Sequence, residues 1–215
     1  MPNLLRHCSI LIIMIALSLQ VACTSMKFTK VWVDESHSGP PYHKVLVIGV
    51  ADTMGNREDF ENYFVKQLKA SGIDALVSYK ILPDTTKINR DSVLAAISGL
   101  GFDCAIVTHL TGIEAEESPI QPKKVGVVTS YGYGPGSYNY QMYDYYQYAS
   151  NYVTHTDYYT NRDTVSLVTN LYDIATEKLV WSGKSAQFAP DSVDDVVVEL
   201  TQLVIADLKQ KKLLQ

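Results

Sequence analysis

Three cysteines, Cys8, Cys23 and Cys104, are all that this chain of 215 residues contains. So few thiols exclude the disulfide framework that staples many small exported domains, so a packed core must hold the fold. Basic charge is also scarce: 18 Lys and Arg stand against 23 Asp and Glu, for a formal charge of −5, and they form no cluster. That balance argues against nucleic acid or an anionic lipid surface as the main partner. The long apolar run Ile10–Leu19 is well short of the ~20 residues of a spanning helix. Sequence patterns of catalysis are missing too. Gly132-Tyr-Gly-Pro-Gly136 is followed by no Lys-Ser/Thr pair and contains Pro135, which removes a backbone donor, so it is no phosphate loop. No G-x-S-x-G stretch occurs, and His37, His43, His109 and His155 are scattered without metal-ligand spacing. No cofactor and no metal are expected, and no catalytic residue is assigned.

What is present begins at the N-terminus. Arg6, the apolar run and then Gln20-Val-Ala-Cys23 follow the order of a bacterial export signal. A small residue directly before cysteine resembles a lipobox, with Gln20 standing where an apolar residue is usual. On this reading residues 1–22 are removed and Cys23 carries acyl chains, palmitate among them. Competing readings are an ordinary secretory signal cut nearby and an uncleaved anchor. Removing 22 residues from 215 leaves 193, with 17 basic and 23 acidic residues and a formal charge of −6. A chain of that length builds one domain burying roughly 70% of its unfolded surface. The lipid, rather than surface charge, then supplies membrane attachment. Cys104 remains as a lone thiol in an apolar run and reads as a small buried hydrophobe.

The pattern along the chain predicts a single α/β domain over residues 44–215, preceded by a tether with a weak edge strand over 23–43. Phe28–Asp34 alternates weakly. Lys44–Ala51 is short, β-branched and bounded by turn formers, as a strand buried on both faces should be. A helix is expected from an Asn56 cap to Ser71, with Glu58 and Asp59 in its first turn, Phe60, Phe64 and Leu68 on its apolar face, and Gly72 as its stop. A strand over Ala75–Leu82 follows. Next comes a helix opened by Asn89 or Asp91, with Val93, Leu94, Ile97 and Leu100 on one face and Gly101 closing it. A strand over Cys104–Thr111 runs on toward Glu117. Thr164–Asp173 and Lys178–Phe188 read as an antiparallel hairpin. Ser192 and Asp195 open a last helix, whose stripe of Val193, Val196, Val197, Leu200, Leu203, Val204 and Leu208 faces the core. The expected fold is therefore a mixed sheet of about five strands flanked by helices, in the order β-α-β-α-β-insertion-β-hairpin-α.

The insertion, at about 119–162, holds Tyr131, Tyr133, Tyr138, Tyr140, Tyr143, Tyr145, Tyr146, Tyr148, Tyr152, Tyr158 and Tyr159, eleven of the fifteen tyrosines. The aliphatic residues needed for a packed core are mostly missing from it, and it reads as a low-complexity loop. Alternatively it is a contact surface, since tyrosine joins an apolar ring to a hydroxyl at low entropic cost. Between Val125 and Thr160 the stretch has Asp144 and Asp157 but no Lys or Arg, which disfavours stacking on nucleic acid. The flanking Val125–Thr129 and Tyr152–Thr156 are candidates to extend the neighbouring strands into an arm.

Cys23, Trp32-Val-Asp34, Gly39-Pro-Pro41, Lys44–Val50, Tyr79, Leu82-Pro83, the tyrosine-rich stretch, Asn170-Leu-Tyr-Asp173, Leu179-Val-Trp181 and Ser192-Val-Asp-Asp195 resemble a group of uncharacterised bacterial envelope lipoproteins. More distantly, the order of elements is similar to that of the curli-secretion lipoprotein, the lipoprotein activators of penicillin-binding proteins and the N-terminal domain of TolB. The resemblance implies a non-enzymatic assembly or binding module on the periplasmic side of the outer membrane, with an envelope protein or the cell wall as partner. Thr24, rather than Asp, after the cysteine is consistent with outer-membrane sorting. The alternatives are a hydrolase of an envelope polymer using Glu114, Glu116 or His109, and a structural lipoprotein that self-associates through the loop or an edge strand.

Overall fold

Lys44-Val-Leu-Val-Ile-Gly-Val50 forms a strand whose side chains are buried on both faces from Val45 onward, and the rest of the fold is arranged about it. The structure, a computed structural model, describes residues 26–51, 53–82, 90–115 and 163–215. Its elements in chain order are β1 (Lys27–Val33), β2 (Lys44–Val50), α1 (Met54–Ala70), β3 (Asp74–Val77), α2 (Arg90–Ile97), β4 (Cys104–Ala115), β5 (Asp163–Asp173), β6 (Leu179–Phe188) and α3 (Val193–Gln210).

The six strands form one sheet in the order β1-β6-β5-β4-β2-β3. Both β3 and β4 pair with β2 in parallel, and β4, β5, β6 and β1 continue antiparallel. The expected α/β class is found. Six strands rather than five result because the weakly alternating N-terminal stretch pairs with β6 and becomes an edge.

Pleat alternation divides the core in two. Val45, Val47, Ile106, Leu171 and Trp181 share one cluster with Phe60, Phe64 and Leu68 of α1 and with Val196, Leu200, Val204 and Leu208 of α3. Leu46, Ile48, Ala105, Val107 and Tyr172 share the other with Val93 and Ile97 of α2. The thiol of Cys104 lies in the first cluster, fully buried, where burial and then the neighbouring Asp103 push its pKa up. The inert role expected for it follows.

Several local expectations are corrected. Thr53, not Asn56, caps α1, and its hydroxyl accepts from Asn56 N at 3.1 Å. The helix thus begins earlier, leaving Glu58 and Asp59 beyond its first turn. The strand expected over Ala75–Leu82 ends at Val77, because Tyr79 N goes to Glu61 Oε2 at 2.9 Å, while Ile81 N and Leu82 N turn back onto Ser78 O. In α2, which ends at Ile97, Leu100 is exposed rather than on the core face, and Asn89 lies outside the described residues. At the start of α3, Val193 is 49% exposed and does not join the core stripe. The Ser192 cap is as expected, its hydroxyl accepting from Asp195 N at 3.1 Å and donating to Asp195 Oδ2 at 2.7 Å.

Candidate functional site

The sheet brings four strand termini to one end. There β4 finishes at Ala115, β5 starts at Asp163, β6 finishes at Phe188 and β1 starts at Lys27. Register aligns Glu114, Thr164 and Phe188 in one row across three strands, and Gly112, Ser166, Ala186 and Lys27 in a row behind it. Ala115 and Asp163 are direct partners, so the two ends of residues 116–162 leave from adjacent positions on a double strand.

This ladder is long for its sequence neighbourhood, and cross-strand side-chain contacts support it. The hydroxyls of Thr108 and Thr169 share a buried hydrogen bond of 3.0 Å between β4 and β5. Nearer the end, Thr111 Oγ1 donates to Ser166 O at 3.0 Å, where a register shift between Leu110 and Gly112 bends the pair. On the opposite face Asn170 Nδ2 donates to Tyr172 OH at 3.1 Å, and its Oδ1 has no partner among the described residues. Bulges of this kind increase twist and re-aim the strands beyond them.

His109 sits in the middle of β4, aligned with Val50 of β2 and Val168 of β5. It is 3% exposed, and burial pushes its pKa down to about 3, so the imidazole is neutral at physiological pH. Glu114 lies five residues further along the same strand, roughly 16 Å at the usual rise. Those two members of the hydrolase reading are therefore not brought together. Glu116, Cys23 and all the tyrosines of the predicted binding surface, Tyr131 to Tyr159, lie outside the described residues. Among the described residues, no group of three or more His, Cys, Asp and Glu is placed to hold a metal ion. None of the described helices is long and apolar enough to cross a membrane.

Around the termini the surface is mixed. Lys27, Lys30 and Lys184 are exposed, with Lys30 directly opposite Lys184 across the β1–β6 pair. Asp191, Asp194 and Asp195 are exposed where α3 begins. Phe188 and Val193, at 55% and 49% exposure, are the most exposed of the large hydrophobic residues described. Sequence reasoning placed Phe188 only as a strand end and Val193 in the core. The available signal was the short link between them, Ala189-Pro-Asp-Ser192, which holds both at the corner where β6 passes into α3.

The ends of the parallel strands nearer to α1 carry a different polar group, which is structural. Glu61, fully buried, accepts from Gly49 N (3.0 Å), Arg57 Nε (2.8 Å), Ser78 N (2.5 Å), Ser78 Oγ (2.7 Å) and Tyr79 N. Arg57 completes its fork on Leu82 O and Ser78 Oγ. The two charges pair with each other, and their further hydrogen bonds hold α1 against β2 and the end of β3.

No protein-family model matches the chain, and no curated protein matches it in sequence. Among solved structures, the fold is similar to a PelC dodecamer from Paraburkholderia phytofirmans at 12% identity, covering 86% of this chain and 97% of that one with a TM-score of 0.43. It is also similar to lipoprotein GNA1162 from Neisseria meningitidis at 13% identity, covering 78% of this chain and 99% of that one with a TM-score of 0.39. Likeness at this level transfers neither family membership nor function to this chain.

Proposed function

We propose that this chain is a non-enzymatic envelope lipoprotein, anchored through acylated Cys23, in which the α/β domain presents the tyrosine-rich segment to another envelope protein or to the cell wall. The observation that carries this reading is the pairing of Ala115 with Asp163, which fixes both ends of the segment on one rigid double strand. A stretch rich in tyrosine, serine and glycine and held at its two ends resembles the loops with which binding scaffolds make contact. The neutral, buried His109, remote from Glu114, supports a binding role over hydrolysis. Thr24 after the cysteine favours the periplasmic face of the outer membrane.

Cross-linking and mass spectrometry in native envelopes test this, comparing the full chain with one lacking residues 130–159. A partner captured only by the full chain supports the reading. Equal capture by both moves recognition to the α/β domain, and no capture with no wall co-sedimentation counts against an adaptor altogether. Replacing Cys23 by Ala abolishes acyl labelling and releases the chain from membranes if the anchor is correctly assigned.

A further inference from the structure

Chain order and strand register together set how far the folded domain stands from a lipid attached at Cys23. Only three residue steps separate Cys23 from Met26, and three extended steps span at most ~11 Å. Met26 is itself fixed: it is 2% exposed, belongs to the core cluster of Val196 and Leu200, and its amide donates to Glu199 Oε2 at 2.7 Å. No slack remains after it, because β1 begins at Lys27.

The antiparallel register then places Phe188. Lys27 pairs with Ala186, so the last two residues of β6 run past the start of β1, toward the side from which the chain enters. Adjacent strands are ~4.8 Å apart and two residues add ~7 Å, so Phe188 stands roughly 8 Å from Lys27. Val193 follows five residues later, at the first turn of α3, which also carries the Glu199 that holds Met26. The two most exposed large hydrophobic residues described thus lie at the end of the domain where the chain enters from Cys23. The sheet's other end, with the β5–β6 turn at Ala175, points away.

We propose that the rim bearing Phe188 and Val193 rests on the lipid surface that holds the acyl chains, inserting these two side chains at the headgroup boundary. This rests on acylation of Cys23. The occupant is lipid because the tether, at most ~11 Å long, is too short to lift the rim clear of the bilayer that holds the acyl chains. Charge does not select the lipid: Lys27, Lys30 and Lys184 on one side are balanced by Asp191, Asp194 and Asp195 on the other. The contact is therefore apolar and forms on neutral lipid. The ends of the tyrosine-rich segment, at Ala115 and Asp163, emerge from this same end of the sheet, next to the membrane.

Full-length chain purified in its acylated form, reconstituted into vesicles of phosphatidylcholine and phosphatidylethanolamine, tests the proposal. Phe188→Cys, Val193→Cys and, as the distant control, Ala175→Cys are each labelled with an environment-sensitive fluorophore, Cys104 being buried. The expected result is blue-shifted emission that brominated lipid quenches at positions 188 and 193 but not at 175, unchanged by salt or by added anionic lipid. Labels at 188 and 193 that behave like the one at 175, on protein that stays vesicle-bound, overturn the proposal and leave the anchor standing. Intact mass without acyl chains, with no vesicle binding, overturns it together with the anchor. Intact mass therefore tells the two failures apart.

Discussion

Arg57 Nε donates to Glu61 Oε1 at 2.8 Å one turn along α1, and neither side chain reaches solvent. Removing one partner of such a pair strands a buried charge, so Arg57→Met or Glu61→Gln alone is expected to cost about 3–5 kcal/mol. Replacing both by apolar residues is not neutral here, since Glu61 also accepts from Gly49 N and Tyr79 N. The double variant is expected to stay destabilised by about 1–3 kcal/mol for each amide left without an acceptor. Urea denaturation across a double-mutant cycle measures both quantities, and a double variant as stable as the native chain would contradict this assignment.

Acid sensitivity follows from His109. Its folded pKa of about 3 lies below the ordinary 6.5, so above pH 6.5 neither state holds the extra proton. As the pH falls below 6.5 the unfolded chain binds a proton that the folded chain refuses, and stability drops by up to about 1.4 kcal/mol per pH unit until the folded pKa is reached. The carboxyl of Asp173 is raised by burial but held below its usual value overall by the hydroxyl and amide of Thr176 and by Tyr42, so its contribution is lost only in stronger acid. Chemical denaturation between pH 7 and 4.5 is therefore expected to show a slope that His109→Gln reduces, whatever that variant's absolute stability.

Two helices end with the same hydrogen bonds and different residues. After α1, Gly72 at φ +85° lets Gly72 N reach Lys69 O and Ile73 N reach Leu68 O, each at 3.0 Å. After α3, Lys212 takes φ +57° to give Lys212 N to Lys209 O at 3.0 Å and Leu213 N to Leu208 O at 2.9 Å. A side chain in the left-handed region costs about 1–2 kcal/mol. Lys212→Gly is expected to raise stability by roughly 1 kcal/mol or somewhat less, and Gly72→Ala to lower it by about the same. Matched denaturation curves decide whether the two shifts have opposite signs.

Gly183 of β6 lies beneath two rings. A Cβ there would stand 2.5 Å from Trp181 Cη2 and 2.6 Å from Phe28 Cε1, which meet edge to face at 5.7 Å. Trp181 cannot easily withdraw, since its Nε1 donates to Asp207 Oδ2 of α3 at 2.8 Å. Gly183→Ala is expected to cost about 1–3 kcal/mol through overpacking, and to shift the near-ultraviolet circular dichroism of Trp181. An alanine variant with native stability and spectrum would show that the β1–β6 edge is looser than this geometry requires.

Much of the fold was legible from pattern. The β-branched run of β2, the four-residue spacing of Phe60, Phe64 and Leu68, and the hairpin of β5 and β6 each follow from a local periodicity that burial enforces. Illegible were features in which a distant partner overrides the local signal. The strand expected to run to Leu82 stops at Val77, where Glu61 takes the amide of Tyr79 that a continuing ladder would have used. Val193 fits the apolar period of α3 and is still left exposed by the domain, because the helix begins beyond the edge of the core it covers.

The candidate surface divides in the same way. By itself the sequence determined the class of domain, the place of the strands and helices, the absence of a disulfide framework and the concentration of tyrosines in one stretch, because composition and periodicity are properties of consecutive residues. Only the tertiary structure decided that Lys27, Phe188, Val193, Ala115 and Asp163 share one end of the molecule, and that His109 and Glu114 do not share a site. Strand order and register bring together residues up to 173 positions apart in the chain, as when Met26 N meets Glu199. No local pattern encodes that contact, since its energy exists only once β1 has joined the sheet and α3 has packed against it.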